Sequence, residues 1–423
     1  MKWNCVRFLF LFFLCRNVFP SQAGLPRKNE SIEFFTTQSA FSTSLSASSL
    51  ADVYRGGFLD TNRLLSMSKE LSGRNQLFFT EKYGLEYSLD VADAFLNRFK
   101  IRWDAGVCQR NLLFTTFTGD AFRLLAFGNQ PMKENELSLS GTRFLDLNFQ
   151  EFFTGFTAVS ETESGRFSVR LAGSLLNMKS SSDFQIYRGN MFTDSIGSRI
   201  ATDISANFRS MPGDTALPST FFSHRGYGFL GHLSLSYTIK NKFHFALQAN
   251  DLGTATFYRS SVRSIDTAMV YKGFYIHTYG LLYTPGYTVD TDSLTRAFSR
   301  KPGGRYTSYF PSSIIISTSW KPRDTTWQVS LQSTFFPMLS SVFMHQVSLH
   351  KTMGVWKYSA GVLQFFGKRY SSTIGVSVKI KKTLFFTLDV ISPEVLIIPG
   401  STRSAGIRAR ARWNLPHRIK RKA

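Results

Sequence analysis

Between Gly231 and Leu252 the side chains alternate in twos, and no other stretch constrains the chain as tightly. Gly231, Leu233, Leu235, Tyr237 and Ile239 fall on one face; His232, Ser234, Ser236, Thr238 and Lys240 fall on the other. Lys240-Asn241-Lys242 makes a tight polar turn. Beyond it Phe243, Phe245, Leu247 and Ala249 are apolar, while His244, Gln248 and Asn250 are polar. The pattern predicts a hairpin of two long strands with one apolar and one wet face. Each arm runs roughly nine to ten residues, the length a tilted strand needs to cross a bilayer. A single hairpin of this kind also suits any half-buried antiparallel sheet, so its recurrence is what matters.

It recurs. Leu77 to Leu89 and Phe99 to Arg110 read as strands, and Thr118 to Asn129 as a short helical insert behind Gly119-Asp120. Alternation resumes from Glu136 to about Val159 and again from Phe167 to Leu171. Residues 186 to 220 read as a long loop with room for one more strand pair. After the hairpin come a strand over Asp266 to Tyr283 and a loop over Thr284 to Tyr309. Further hairpins follow around Lys321 to Asp324, His350 to Gly354 and Lys381-Lys382, and a final strand runs from Ser404 to Trp413. About fourteen strands (range twelve to sixteen) have no large helices to cover their apolar faces. Closing such a sheet removes its edges. The expected fold is an all-β, closed antiparallel transmembrane β-barrel, with short helical inserts near the N-terminus. A sandwich does not absorb so many consecutive long strands, and no blade repeat near forty residues is present for a propeller.

Composition agrees. Phe (42) and Tyr (16) are abundant, yet mean hydropathy is only −0.10, and no apolar run of about 18 residues lies beyond the N-terminus. Tyr237, Trp320, Trp327, Trp356 and Trp413 recur where strands meet short turns, as in an aromatic girdle at a membrane interface. Residues 1–23 read as a signal peptide: Lys2 and Arg7, then the apolar core Phe8 to Leu14, then Ser21-Gln22-Ala23. Cys15 leaves a lipoprotein reading open against it. Removing Lys2, Arg7 and Arg16 takes the formal charge from +22 to +19. An exported basic protein meets outer-membrane lipid and small anionic solutes rather than nucleic acid. Residues 24–75 read as a leader or plug-like segment, with Thr36 to Ser49 as loop and Phe58 to Ser72 as either a short helix or a surface turn. Residues 76–413 are the barrel and 414–423 a basic tail.

Three short motifs, Tyr54-Arg55-Gly56-Gly57-Phe58, Leu125-Ala126-Phe127-Gly128-Asn129 and Asn250-Asp251-Leu252-Gly253, stand in this order along residues 40 to 413. In them the chain resembles Gram-negative outer-membrane barrels of the Bacteroidota: a family with a domain of unknown function, near the PorP/SprF-like type IX secretion barrels. The resemblance implies a barrel in the outer membrane and, for relatives nearest the secretion system, an anchoring or accessory role. The chain departs from the usual barrel ending, because ten residues follow Trp413. Either a basic tail follows the last strand or the last strand lies elsewhere.

With the apolar parity facing lipid, Arg408, Arg410 and Arg412 line the bore one above another. Arg102, Arg170, His244, Lys357 and Lys379 share that parity on their own strands, with Asp104 and Asp389 as acidic partners. Guanidinium groups in a narrow wet bore favour anions, which predicts a porin-like, anion-preferring lumen. Arg–carboxylate bridges that simply fill the bore are the competing reading. A structural or transport barrel of unassigned substrate is the leading expectation. A barrel docking a secretion or cell-surface protein through its loops (188–225, 284–309) or tail is the second. No cofactor or metal site is expected. Ser66-Met67-Ser68-Lys69 has Ser-x-x-Lys spacing but lacks companion motifs, so an enzyme, including a lipid-modifying barrel, is the least supported reading.

Overall fold

The computed structural model describes residues 30–55, 60–91, 99–195, 199–211, 225–258, 261–271, 299–301, 305–322, 326–337, 342–367, 369–380 and 383–415. Fourteen antiparallel strands form the wall. They are β1 (Glu30–Ser42), β2 (Arg74–Val91), β3 (Lys100–Thr118), β4 (Arg143–Glu161), β5 (Gly165–Thr193), β6 (Gly226–Ile239) and β7 (Phe243–Phe257) in the first half. The second half has β8 (Ser313–Trp320), β9 (Trp327–Phe336), β10 (Val342–Met353), β11 (Trp356–Phe365), β12 (Arg369–Ile380), β13 (Leu384–Ile391) and β14 (Ser404–Leu415). Each pairs with its neighbour, and β14 pairs with β1 from Phe41↔Ser404 to Glu30↔Leu415, closing the barrel. No edge remains in this ring, which is what hydrocarbon demands of a sheet.

Short turns collect at one end, together with Glu30 and Leu415. Lys240 and Asn241 have φ of 44° and 55°, and Lys242 N–H donates to the Ile239 carbonyl at 2.8 Å. Two consecutive left-handed residues make the turn whose twist matches a hairpin. Long connections collect at the other end, among them the helices α1 (Ala47–Arg55), α2 (Thr61–Glu70) and α3 (Gly119–Phe127). Asp60 caps α2 by accepting from Arg63 N–H, and Thr118 caps α3 by accepting from Ala121 N–H at 3.0 Å. Leu45, Leu50, Met67 and Leu77 bury one another beneath α1 and α2.

The outward parity is apolar. Leu331, Val347 and Val362 lie side by side across β9, β10 and β11, each about half exposed, and Phe243 and Phe245 point outward beside them in the ring. Exposed Leu, Val and Phe over a whole wall is costly in water and favourable against lipid. The inward parity divides along the bore. Toward the loop end it is apolar: Phe41, Phe78, Leu112, Phe114, Phe149, Met178, Phe257, Leu363 and Phe365 pack into one buried cluster. Toward the short-turn end it is polar and charged.

The structure changes four expectations. Residues 24–75 are not wholly a leader, because β1 is a wall strand between β14 and β2. Thr36 to Ser49, read as loop for its Ser/Thr content, is strand and then α1, since small hydroxyl side chains fit a bore wall and a buried cap. The strand ending at Arg110 runs on to Thr118; alternation fades there because Leu112 and Phe114 enter the apolar part of the bore. Of the strand expected over Asp266 to Tyr283, residues 266–271 are described and 272–283 are not; the described part lies in Ser261–Tyr271, which pairs with Ile200–Met211, which pairs with the upper half of β5. The fourteen wall strands include β1 instead of this one.

β5 spans 29 residues, against roughly 9–11 for a bilayer. Its excess carries a sheet beyond the barrel end with Ile200–Met211, Ser261–Tyr271 and Glu136–Ser138. Much of the expected loop over 188–225 is therefore strand. The signal segment, residues 212–224, most of 284–309, Gly56 to Phe58 and the tail from 416 on lie outside the described residues. The final strand ends at Leu415, so Trp413 does belong to it.

Candidate functional site inside the barrel

Below the aromatic layer the bore holds a cavity of about 780 Å³, roofed by Phe41, Phe78, Phe336 and Leu363 and walled by charged side chains. Its centre is Arg110 of β3. The guanidinium is bidentate on Asp251 (2.7 and 2.8 Å), donates to Glu151 Oε2 at 3.1 Å, and lies 5.2 Å from the Phe149 ring centroid. Glu151 is 2 % exposed. It also accepts from Ser174 Oγ at 2.7 Å, faces His232 Nε2 at 3.3 Å and Lys82 Nζ at 4.0 Å, and receives the Cys108 thiol at 3.4 Å. Two acids and one fully engaged guanidinium form a cross-brace of the kind a buried charge requires.

Asp251 reaches this brace because β7 is irregular there. Leu233 pairs with Ala249 but Gly231 pairs with Leu252, so Asn250 and Asp251 together oppose His232. Asp251 adopts φ of 60°. The bulge lets two successive side chains line the bore and reverses the inward parity of β7 above it. Asp251 N–H donates to His232 Nδ1 at 3.3 Å. That bond makes Nδ1 the acceptor and places the proton of a neutral ring on Nε2. Ser174 Oγ lies 3.0 Å from that nitrogen. Ser174, His232 and Glu151 thus lie together, but a protonated Nε2 cannot take the serine proton, and the acid sits on the serine side of the ring. The cluster lacks the geometry of an activated nucleophile.

Of the residues expected to line the bore, Arg102, Arg170, Arg408, Arg410 and Arg412 line the two cavities, and His244, Lys357 and Lys379 line neither. Arg170 forms a close bidentate pair with Asp104. Arg408 lies opposite Asp389 in the β13–β14 register and, with Arg410, lines the main cavity. Arg102, Arg410 and Arg412 line a second cavity of about 520 Å³ at the short-turn end. His244 Nδ1 lies 2.9 Å from Thr238 Oγ1, Lys357 donates to Gln328 Oε1 at 3.4 Å, and Lys379 Nζ sits 5.4 Å from the Phe385 ring centroid. These three lie away from the Arg110 brace. Tyr237, Trp320, Trp327, Trp356 and Trp413 are outward and exposed near the short-turn end. Trp103, edge-on to Tyr87 at 6.1 Å, joins them.

Sequence reasoning missed Arg110, Glu151, Asp251 and His232 as a unit. Extending the 102–104–106–108 parity by one step finds Arg110. No parity finds Asp251, because its inward aim comes from the bulge. Ser66 and Lys69 are exposed on α2, outside the bore. Among the described residues no group of His, Cys, Asp and Glu has metal-binding geometry.

No family model matches the chain, and no curated protein matches it. Solved structures do. The Pseudomonas putida toluene transporter TodX aligns at 10 % identity over 92 % of this chain and 88 % of its own, with a TM-score of 0.40. A Pseudomonas aeruginosa FadL homologue aligns at 9 % over 91 % and 90 %, with a TM-score of 0.42. A Rhodopseudomonas blastica porin mutant aligns at 9 % over 92 % and 100 %, with a TM-score of 0.27. At these TM-scores none of the three carries an argument about this chain, whose closed barrel rests on its own strand pairing.

Proposed function

We propose that this protein is an outer-membrane transport barrel whose bore takes small organic anions. The observation that carries the reading is the main cavity itself. An apolar roof of Phe41, Phe78, Phe336 and Leu363 closes over a wall bearing Lys82, Arg170, Arg408 and Arg410. A solute with an apolar body and one acidic group satisfies both parts, whereas an inorganic cation satisfies neither. Acids also line the wall: Glu86, Glu151, Asp251 and Asp389. Glu151 and Asp251 are engaged by Arg110, Arg170 by Asp104, and Arg408 stands opposite Asp389, which leaves Lys82 and Arg410 against Glu86 to set the preference.

Planar-bilayer recording across a KCl gradient tests this. A reversal potential on the chloride side is expected, together with loss of current when a short-chain carboxylate is added. An absent current, or cation preference, overturns the reading. A docking role is the second reading. The sheet built on the upper half of β5 gives it a surface above the barrel end, and the likeness to secretion-associated barrels seen in the sequence points the same way. Co-purification with and without residues 414–423 tests the tail's part in it.

A further inference from the structure

The second cavity, at the short-turn mouth, shares only Arg410 with the main one and is built differently. Its charged lining is Arg102, Arg410, Arg412, Glu33 and Asp90. Asp90 faces Arg102 in the β2–β3 register, and Glu33, which faces Arg412 in the β1–β14 register, turns its Oε1 to within 4.0 Å of Arg410 Nη1. Arg412 makes no ion pair within 4.0 Å among the described residues. Its Nη2 donates to Ser31 Oγ at 3.1 Å, while its Nε is buried with no hydrogen-bond partner. Arg102 lines the same cavity, so the two like charges face one space. Lys379 lies beside Phe385, which forms the apolar side of the cavity.

A buried guanidinium N–H without an acceptor carries a desolvation penalty that an incoming oxygen removes. The Nε edge of arginine is also the edge that matches a planar or tetrahedral oxyanion. Three cations against two carboxylates leave room for one negative charge.

We propose that this mouth is a binding site for one small oxyanion, a carboxylate or phosphate-type group, seated on Arg412 between Arg102 and Arg410. The anion accepts from Arg412 Nε, Ser31 keeps Nη2, and the flanking guanidinium groups supply the field. Because the mouth lies at the end with short turns, the ligand reaches it from the periplasmic side. Binding here needs no passage through the aromatic roof. The inference therefore stands or falls apart from the transport reading: a barrel with no anion preference in a bilayer would still hold an anion at its mouth.

The test is calorimetric titration of the detergent-purified full chain with inorganic phosphate and, separately, with acetate. Wild type is compared with Arg412→Gln and with Arg123→Gln, an exposed cation on α3 at the opposite end of the barrel that lines neither cavity. Folding of each variant is checked by heat-modifiable electrophoretic mobility. Saturable binding is expected in wild type, weakened at least about tenfold in R412Q and unchanged in R123Q. Ser31→Asp, which gives Arg412 an internal carboxylate while keeping the guanidinium, is expected to abolish binding and covers the case in which R412Q fails to fold. The proposal is overturned by absence of saturable binding to either probe, which would make any anion there an adventitious ion only. It is equally overturned by wild-type affinity in R412Q or S31D, or by an equal loss in R123Q.

Discussion

Replacing Arg110 with Met removes the centre of the brace while roughly keeping its volume. Three charge-assisted hydrogen bonds disappear, at 2.7, 2.8 and 3.1 Å. The two acids are not left equally bare. Glu151 keeps Ser174, His232 and the more distant Lys82. Asp251 loses the bidentate pair that faces its carboxylate. Breaking a buried pair from one side costs about 3–5 kcal/mol, chiefly through the stranded charge. That is roughly two to four powers of ten in the unfolding constant. Guanidinium unfolding in lipid vesicles, followed by tryptophan fluorescence, reads this as a fall in midpoint at unchanged slope. Adding Asp251→Asn to R110M discharges the barer acid, and about half or more of the loss is expected to return. Acidic buffer is expected to relieve part of the R110M deficit for the same reason, since protonation discharges both carboxylates. An R110M midpoint within about 1 kcal/mol of wild type, or no recovery in the double variant, would show that the brace contributes specificity without stability.

Two further outcomes follow from the wall. A Cβ on Gly253 would sit 1.9 Å from the Phe229 carbonyl oxygen, whereas one on Gly231 would meet nothing nearer than 3.6 Å. Gly253→Ala is therefore expected to cost about 1–3 kcal/mol and Gly231→Ala less than about 0.5 kcal/mol in the same unfolding assay; equal effects would refute the close approach. Trp320, Trp327, Trp356 and Trp413 stand outward near the short-turn end, so lipids carrying a quencher near the headgroup should quench the folded protein more than lipids quenched near the chain terminus. Stronger quenching by the deep probe would place these rings at the bilayer centre.

Much of the wall was legible in the sequence because a strand in a bilayer wall has two solvents, lipid and bore, and the residues must alternate to satisfy both. Leu331, Val347 and Val362 could be assigned to lipid, and Arg408, Arg410 and Arg412 to the bore, from parity alone. Parity failed where both sides of the wall are apolar, as at Leu112 and Phe114, and where hydroxyl residues serve equally as strand, cap or loop, as from Thr36 to Ser49.

The sequence by itself determined that a closed barrel must form, which end carries the short turns, and which side chains of each regular strand face inward. These follow from period, turn chemistry and the need to leave no edge. Only the tertiary structure decided that β1 is the fourteenth wall strand, since strand membership depends on which edge is left to close against β14. It alone brought Arg110, Glu151 and Asp251 together from three strands, because barrel closure sets neighbours across the bore and the bulge at Asn250-Asp251 turns a residue inward against its own parity. And it alone left Arg412 Nε without a partner, because charge balance at the mouth is a property of the ring of strands and not of any one of them.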